Sequence, residues 1–233
     1  MVFRDEFAAE VKKPLSSRIR AYHPDDRQAV FRIAADTAFF GAPVEAFLDD
    51  RRLFCDAFTR YYTDYEAENG LIAEARRDGE DWETAGFLLG CLDTRRQQRR
   101  WLRWILPSTV GRMLTGRYRL GKRTWGYALR LVAAHLRGET PVCDVDLYPA
   151  HLHINLVEGW RGLGLGRGLM ETYLARLRAL SVPGVHLHTT SLNQVACRLY
   201  EGMGFELLNR RWTGAWGGIT QQPVENLCYG LRL

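Results

Sequence analysis

One stretch limits what this chain can fold into more than any other: His151-Leu152-His153-Ile154-Asn155-Leu156-Val157-Glu158-Gly159-Trp160-Arg161-Gly162-Leu163-Gly164-Leu165-Gly166-Arg167-Gly168. It predicts a strand that runs into an Arg-x-x-Gly-x-Gly turn and then a helix. Glycines at this density let the backbone pass close to a ligand and aim several N–H groups at one point. The positive end of the following helix adds to them. Such a device suits a pyrophosphate; the alternative is a tight turn that only joins strand to helix. Spacing excludes two other phosphate loops. A P-loop ends in Gly-Lys-Ser/Thr, and Gly166-Arg167-Gly168 stands there instead. A Rossmann G-x-G-x-x-G needs glycine at 167 or 169, where the chain has Arg167 and Leu169.

Around this stretch the pattern is mixed α/β. Arg18 to Tyr22 alternates and predicts a first strand. Pro24-Asp25-Asp26 opens a helix with an apolar face of Ala29, Val30, Ile33, Ala34 and Ala38. A second helix is expected over about 43–63, then a hairpin of strands at 71–75 and 84–92. After the Gly-rich turn a helix runs to about Leu180, with Leu169, Tyr173, Leu177 and Leu180 on its buried side. A strand at 185–190, a helix from Ser191 to Met203 with Ser191 as N-cap, a strand from Gly204 and a last strand from Asn226 to Leu233 complete the order. Strands paired early and a βαβ unit late fit one domain over 17–233, with 1–16 as a loose N-terminal arm. On the 191–203 helix Asn193, Cys197 and Tyr200 stand at i, i+4 and i+7 and share a face. A phenol there can donate a proton to a leaving thiolate, or it is a packed aromatic with a satisfied hydroxyl.

The net charge of +5 is unevenly spread. Residues 95–138 hold twelve Lys and Arg and no Asp or Glu; the rest holds 20 basic and 27 acidic residues, or −7. This basic insertion, 95–140, predicts two or three short helices. The N-terminus carries acids where a signal peptide needs an apolar run, and no stretch approaches the roughly 20 apolar residues of a membrane span. Five scattered cysteines without a C-x-x-C pair argue against a disulfide framework or a zinc site. A cytoplasmic location is the expectation.

Together these segments resemble the GNAT superfamily of acyl-CoA N-acyltransferases. Arg161-x-x-Gly164-x-Gly166 matches the family's Q/R-x-x-G-x-G/A pyrophosphate motif. Ser191-Leu192-Asn193-x-x-Ala196-x-x-Leu199-Tyr200-Glu201-x-x-Gly204-Phe205 matches its later helix-and-strand motif. The likeness is close over 151–205 and looser over most of 17–233. Within the family, Tyr148-Pro149-Ala150-His151-Leu152-His153-Ile154-Asn155 is similar to bacterial and fungal members related to the acetyltransferase-like domain of O-GlcNAcase. One departure is that Glu158 and Gly159 stand where many members have Pro and an acidic residue.

The resemblance implies an α/β fold: a GNAT-like, mixed twisted sheet of six or seven strands flanked by helices. It implies acetyl-CoA as co-substrate and no metal. A strand bulged near Asn155–Val157 would splay from the strand at 185–190, with the acyl-CoA in the V. Backbone groups of Leu156 and Val157 would hold the pantetheine and thioester carbonyl. The backbone of Arg161, Gly162, Leu163, Gly164, Leu165, Gly166 and Arg167 would hold the pyrophosphate. Asn193 would contact the pantetheine or order the helix start. Tyr200 would be the general acid, and Cys197 a small core residue rather than a nucleophile.

The base is open. His151 and His153 share one strand face, as do His186 and His188 on the next strand. If the faces coincide, four imidazoles crowd one side of the V as a base cluster, a metal site or polar packing. His153 is the first choice of base and Glu158 its competitor. The acceptor would be a small-molecule or protein amine. For the basic insertion the choice lies between a polyanion surface (nucleic acid, acidic lipid) and a solvated flap over the acceptor site with its tryptophans inward. The flap is preferred, and nucleic acid is not an expected partner. A homodimer is compatible with all of this. The competing function is a catalytically inactive GNAT-fold module that recognises a protein or small ligand.

Overall fold

The computed structural model describes residues 16–233; the expected arm lies outside the described residues except for Ser16, which opens β1 (Ser16–Ala21). A 3-10 turn over Pro24–Asp26 leads into α1 (Arg27–Asp36). The single helix expected over 43–63 is broken into a 3-10 turn at Val44–Ala46, α2 (Arg51–Phe58) and α3 (Arg60–Tyr65). The break has a local cause: the Asp50 carboxylate accepts from the N–H groups of Arg52 and Leu53 and so starts a new helix. β2 (Gly70–Arg76) and β3 (Glu83–Cys91) form the hairpin. The insertion holds α4 (Thr94–Arg100), a π turn over Trp101–Ile105, α5 (Leu106–Leu114) and α6 (Lys122–Leu136). Then come β4 (Ala150–Leu156), α7 (Leu165–Ala179), β5 (Gly184–Thr190), α8 (Gln194–Glu201), β6 (Glu206–Thr213) and β7 (Val224–Arg232).

The seven strands make one sheet in the order β1-β2-β3-β4-β5-β7-β6. All neighbours are antiparallel except β4 and β5, which run parallel and pair only at Ala150–Val185 and His151–His186. Beyond that point they part. β4 keeps continuous register with β3 from His151 to Leu156, so the expected bulge near Asn155–Val157 is absent. β5 likewise stays with β7 from Gly184 to Thr190. Each strand follows its outer neighbour, and the V opens between them without any slip in register.

Helices cover both faces. Against one face α7 buries Leu169, Met170, Tyr173, Leu174 and Leu177, each large side chain contributing about 2 kcal/mol. The helix ends at Ala179, so Leu180, expected inside, is exposed. Tyr173 ties the helix to the sheet: its hydroxyl reaches the carbonyls of Cys91 (2.9 Å) and His151 (3.2 Å). Gly90 makes room for it, since a Cβ there would stand 2.2 Å from the phenol ring. On the other face Val30, Ile33 and Ala34 of α1 join Tyr61 and Tyr62 of α3 over Ile72, Phe87 and Leu89. No helix among the described residues is long and apolar enough to cross a membrane.

Candidate active site

The V exposes backbone that a closed sheet would use. Antiparallel partners alternate the side to which they turn their N–H and C=O groups. Val157 donates its N–H to Ala85 (2.9 Å), which sets the phase. The odd residues of β4 therefore bond β3, while Ile154 and Leu156 turn toward the departed β5. Val157 is thus taken up by the sheet and lines neither of the cavities described below, which corrects its expected place on the pantetheine. The Leu156 carbonyl accepts from Arg161 Nε at 3.1 Å, leaving the Leu156 N–H on the V.

The Gly-rich turn completes the lower arm. Gly162 (φ 76°) and Gly164 (φ 82°) take the left-handed conformation and steer the chain into α7. Among the described residues no N–H from Gly162 to Arg167 donates to a protein acceptor; the first amide bonded within the helix is that of Gly168, to Gly164. Leu163 and Leu165 turn their side chains to the core and offer the turn only backbone. Beside these amides lies a cavity of about 560 Å³, bordered by Leu156, Arg161, Gly162, Gly164, Gly166 and Arg167 on one side and by α8 on the other. Three arginines border it: Arg161, Arg167, whose guanidinium also donates to the Gly202 carbonyl (3.2 Å), and Arg198. Arg198 escaped sequence reading because it lies off the face that Asn193, Cys197 and Tyr200 mark.

A second cavity, about 590 Å³, meets the first at Thr37, Phe40, Gly41, Ile154, Asn155, Asn193 and Tyr200. Tyr200 stands at the junction. It is 5% exposed, and its hydroxyl has no protein partner among the described residues. Burial raises its pKa, so the phenol keeps its proton at neutral pH. Asn193 caps α8 by accepting from the Ala196 N–H (3.4 Å). Ser191, the expected cap, instead accepts from the Glu225 N–H at the start of β7 (3.0 Å). Cys197 is half-buried and its thiol pKa is raised by burial, which leaves little thiolate.

The four imidazoles do share one side of the V. Ring centroids of His151 lie 5.9 Å from His153 and 5.6 Å from His186, and those of His186 and His188 are 5.5 Å apart. Burial lowers the pKa of all four, that of His153 to about 3. A hydrogen-bond chain assigns two tautomers. The Thr94 hydroxyl donates to the Pro149 carbonyl (2.8 Å) and so accepts from His151 Nδ1–H (2.7 Å). His151 Nε2 then accepts from the Tyr62 hydroxyl (2.7 Å), whose oxygen accepts from His153 Nε2–H (2.8 Å). The lone pair of His153 is left on Nδ1. His153 and His188 line the second cavity, and among the described residues no carboxylate lines either cavity. Glu158, the competing base, is exposed on the 3-10 turn after β4 and lines neither: the strand ends at Leu156 and the turn carries it outward. No group of three or more His, Cys, Asp or Glu among the described residues is arranged to hold a metal ion.

Residues 143–205 match the acetyltransferase (GNAT) family. Over the whole domain, the crystal structure of SsHAT superposes with a TM-score of 0.68 at 32% identity, covering 93% of this chain and 98% of that one. The chain belongs to the GNAT family. The GNAT fold is also shared with yncA from Salmonella typhimurium, a structure with its cofactor acetyl-CoA (TM-score 0.53, 15% identity, 93% of this chain and 94% of that one). A mycothiol acetyltransferase of Nocardiopsis dassonvillei is 46% identical over 48 residues, which span 21% of this chain but only 14% of that relative.

In this GNAT domain the basic insertion walls the second cavity through Trp101, Tyr127, Ala128 and Leu131. Trp101 also donates from its indole to the Ala57 carbonyl (2.8 Å). The expectation of inward tryptophans holds only for Trp101, because Trp104 and Trp125 are 54% and 53% exposed. Buried carboxylates hold the insertion down. Glu66 pairs with Arg96 (3.0 Å), and Asp56 accepts from Arg112 and Tyr118 (2.5 Å each). Phe47, Phe54, Phe58 and Trp216 on the cavity wall were not legible as site residues, since apolar residues of a helix or loop read equally as core.

Proposed function

We propose that this chain transfers an acetyl group from acetyl-CoA to a primary amine by direct attack. The observation that carries the reading is the run of unbonded amides from Gly162 to Arg167, facing a cavity lined by three arginines. Those amides and the α7 dipole suit a pyrophosphate, and Arg161, Arg167 and Arg198 suit its remaining phosphate charge. The Ile154 and Leu156 N–H groups on the V suit the pantetheine amides and the thioester oxygen. Such a layout fits the family's donor.

The amine approaches from the second cavity. Its nitrogen bonds to the thioester carbon, the C–S bond breaks, Tyr200 gives its proton to the departing sulfur, and the proton shed by the acylated nitrogen returns to the phenolate. The ammonium proton must leave first. With no carboxylate in the cavity, His153 Nδ1 is the acceptor that the tautomer chain presents, and the apolar walls themselves lower the ammonium pKa. An imidazole so hard to protonate passes the proton on rather than storing it. Cys197 takes no part. The likeness of 148–155 to relatives of the O-GlcNAcase-linked domain adds nothing to this chemistry.

The test is thiol release from acetyl-CoA with an amine panel, run beside Tyr200→Phe. We expect kcat to fall about 10²–10⁴-fold with the acetyl-CoA KM nearly unchanged. Unchanged turnover removes the acid role from Tyr200. Absence of acetyl-CoA binding at millimolar concentration sinks the whole reading.

A further inference from the structure

The second cavity has a chemical character that narrows the acceptor, on the reading just given. Four of its polar residues stand on the two parted strands: Asn155 and His153 from β4, His188 and Thr190 from β5. The Thr190 hydroxyl is buried and has no protein partner among the described residues. Most of the remaining wall is rings and aliphatic carbon, interrupted by the Thr37, Thr124 and Tyr127 hydroxyls. Phe47 stands 4.6 Å from Tyr127 and 5.4 Å from Trp216, and Phe58 stacks on Phe54 at 5.2 Å and meets the His153 ring at 4.4 Å. Among the described residues no Asp, Glu, Lys or Arg lines this cavity.

Each feature excludes a class of amine. A polyamine or a basic peptide brings a second cation that would be desolvated against rings with no carboxylate among the lining residues to meet it. An aminosugar brings several hydroxyls to a wall of rings that offers few polar partners beside the Thr124 and Tyr127 hydroxyls. An acidic or phosphorylated amine finds no cation. A flat, apolar body with one amine at its end leaves nothing unpaired: the rings take the body, and the strand-borne groups take the nitrogen. We infer that the acceptor is a monoamine on an aromatic or comparably apolar body, with its nitrogen at the Tyr200 end and the body between Phe47, Phe54, Phe58, Tyr127 and Trp216.

The experiment compares kcat/KM of the full chain, by thiol release from acetyl-CoA, for 2-phenylethylamine and tryptamine against spermidine, glucosamine and a lysine-containing peptide. The arylalkylamines should lead by about 100-fold or more. Phe58→Asp, at a wall position already 40% exposed, places a carboxylate beside the cavity. It should raise kcat/KM for spermidine and lower it for 2-phenylethylamine, shifting their ratio at least tenfold; Leu131→Asp on α6 serves the same purpose if Phe58→Asp does not fold. Acetylation of spermidine, glucosamine or the peptide in preference to both arylalkylamines overturns the inference and leaves the acetyltransfer reading standing. Arylalkylamines that quench the chain's tryptophan fluorescence but are not acetylated support the cavity assignment and count against acetyltransfer. Arylalkylamines that neither bind nor react overturn the inference, as does a ratio unmoved by a folded carboxylate variant.

Discussion

Gly164 and Gly90 serve the fold for opposite reasons, and substitution separates them. At Gly164 the backbone is left-handed (φ 82°) and a Cβ would meet nothing within 4 Å. The penalty for Gly164→Ala is therefore conformational, about 1 kcal/mol, and falls on the turn that presents the open amides. We expect a weaker acetyl-CoA Kd by isothermal calorimetry with a urea midpoint only slightly lowered. Gly90 is the reverse. Its conformation is ordinary, but the Tyr173 ring occupies the space of a Cβ. Gly90→Ala should cost about 1–3 kcal/mol of global stability by overpacking, read as a clear fall in the urea midpoint. The motif spacing marked Gly164 in the sequence. Gly90 had no such mark, because only the fold brings Tyr173, 83 positions away in the chain, onto it.

The parted pair of strands carries the site's electrostatics. The i, i+2 spacing of His151–His153 and His186–His188 was enough to put the rings on shared faces, because a strand's period is two. The partners that fix the tautomers of His151 and His153, Tyr62 and Thr94, come from α3 and α4, and nothing in their local pattern points at β4. The same burial makes a pH prediction. In the unfolded chain each imidazole takes a proton near pH 6.5. In the folded chain His151 and His153 refuse it down to much lower pH, His153 to about 3. Their contribution is whole above pH 6.5 and is lost as pH falls, because the unfolded state then binds more protons. Each such histidine steepens the fall by about 1.4 kcal/mol per pH unit well below 6.5. Urea midpoints between pH 4.5 and 7.5 should show this, and His151→Gln should reduce the slope at pH 5 by about one proton. An equal slope in the variant would mean that His151 is already charged in the fold.

Across the whole molecule the two cavities differ in how the chain builds them, and this explains what could be read in advance. The donor cavity comes mostly from one contiguous run, β4 through α8, so its turn, helix dipole and Tyr200 are coded at short range. The acceptor cavity draws on α1, the 37–48 segment, α2, the insertion, both strands of the V and Trp216. Its walls meet only through long-range contacts, and an apolar wall looks like core in sequence. The division also implies that acceptor binding can be disturbed alone. Asp56 is 8% exposed and clamps the insertion to α2 by accepting from Arg112 and Tyr118. Asp56→Ala removes both bonds, which charge assistance makes worth about 1–3 kcal/mol each. The insertion supplies Trp101, Tyr127 and Leu131 to the acceptor wall and no residue to the donor cavity. Loosening it should therefore raise the amine KM several-fold while the acetyl-CoA KM stays within about twofold, since KM rises alone when ground-state and transition-state binding are lost together. Steady-state kinetics with each substrate varied in turn would decide it. If both KM values rise together, the insertion supports the whole domain rather than one wall of it.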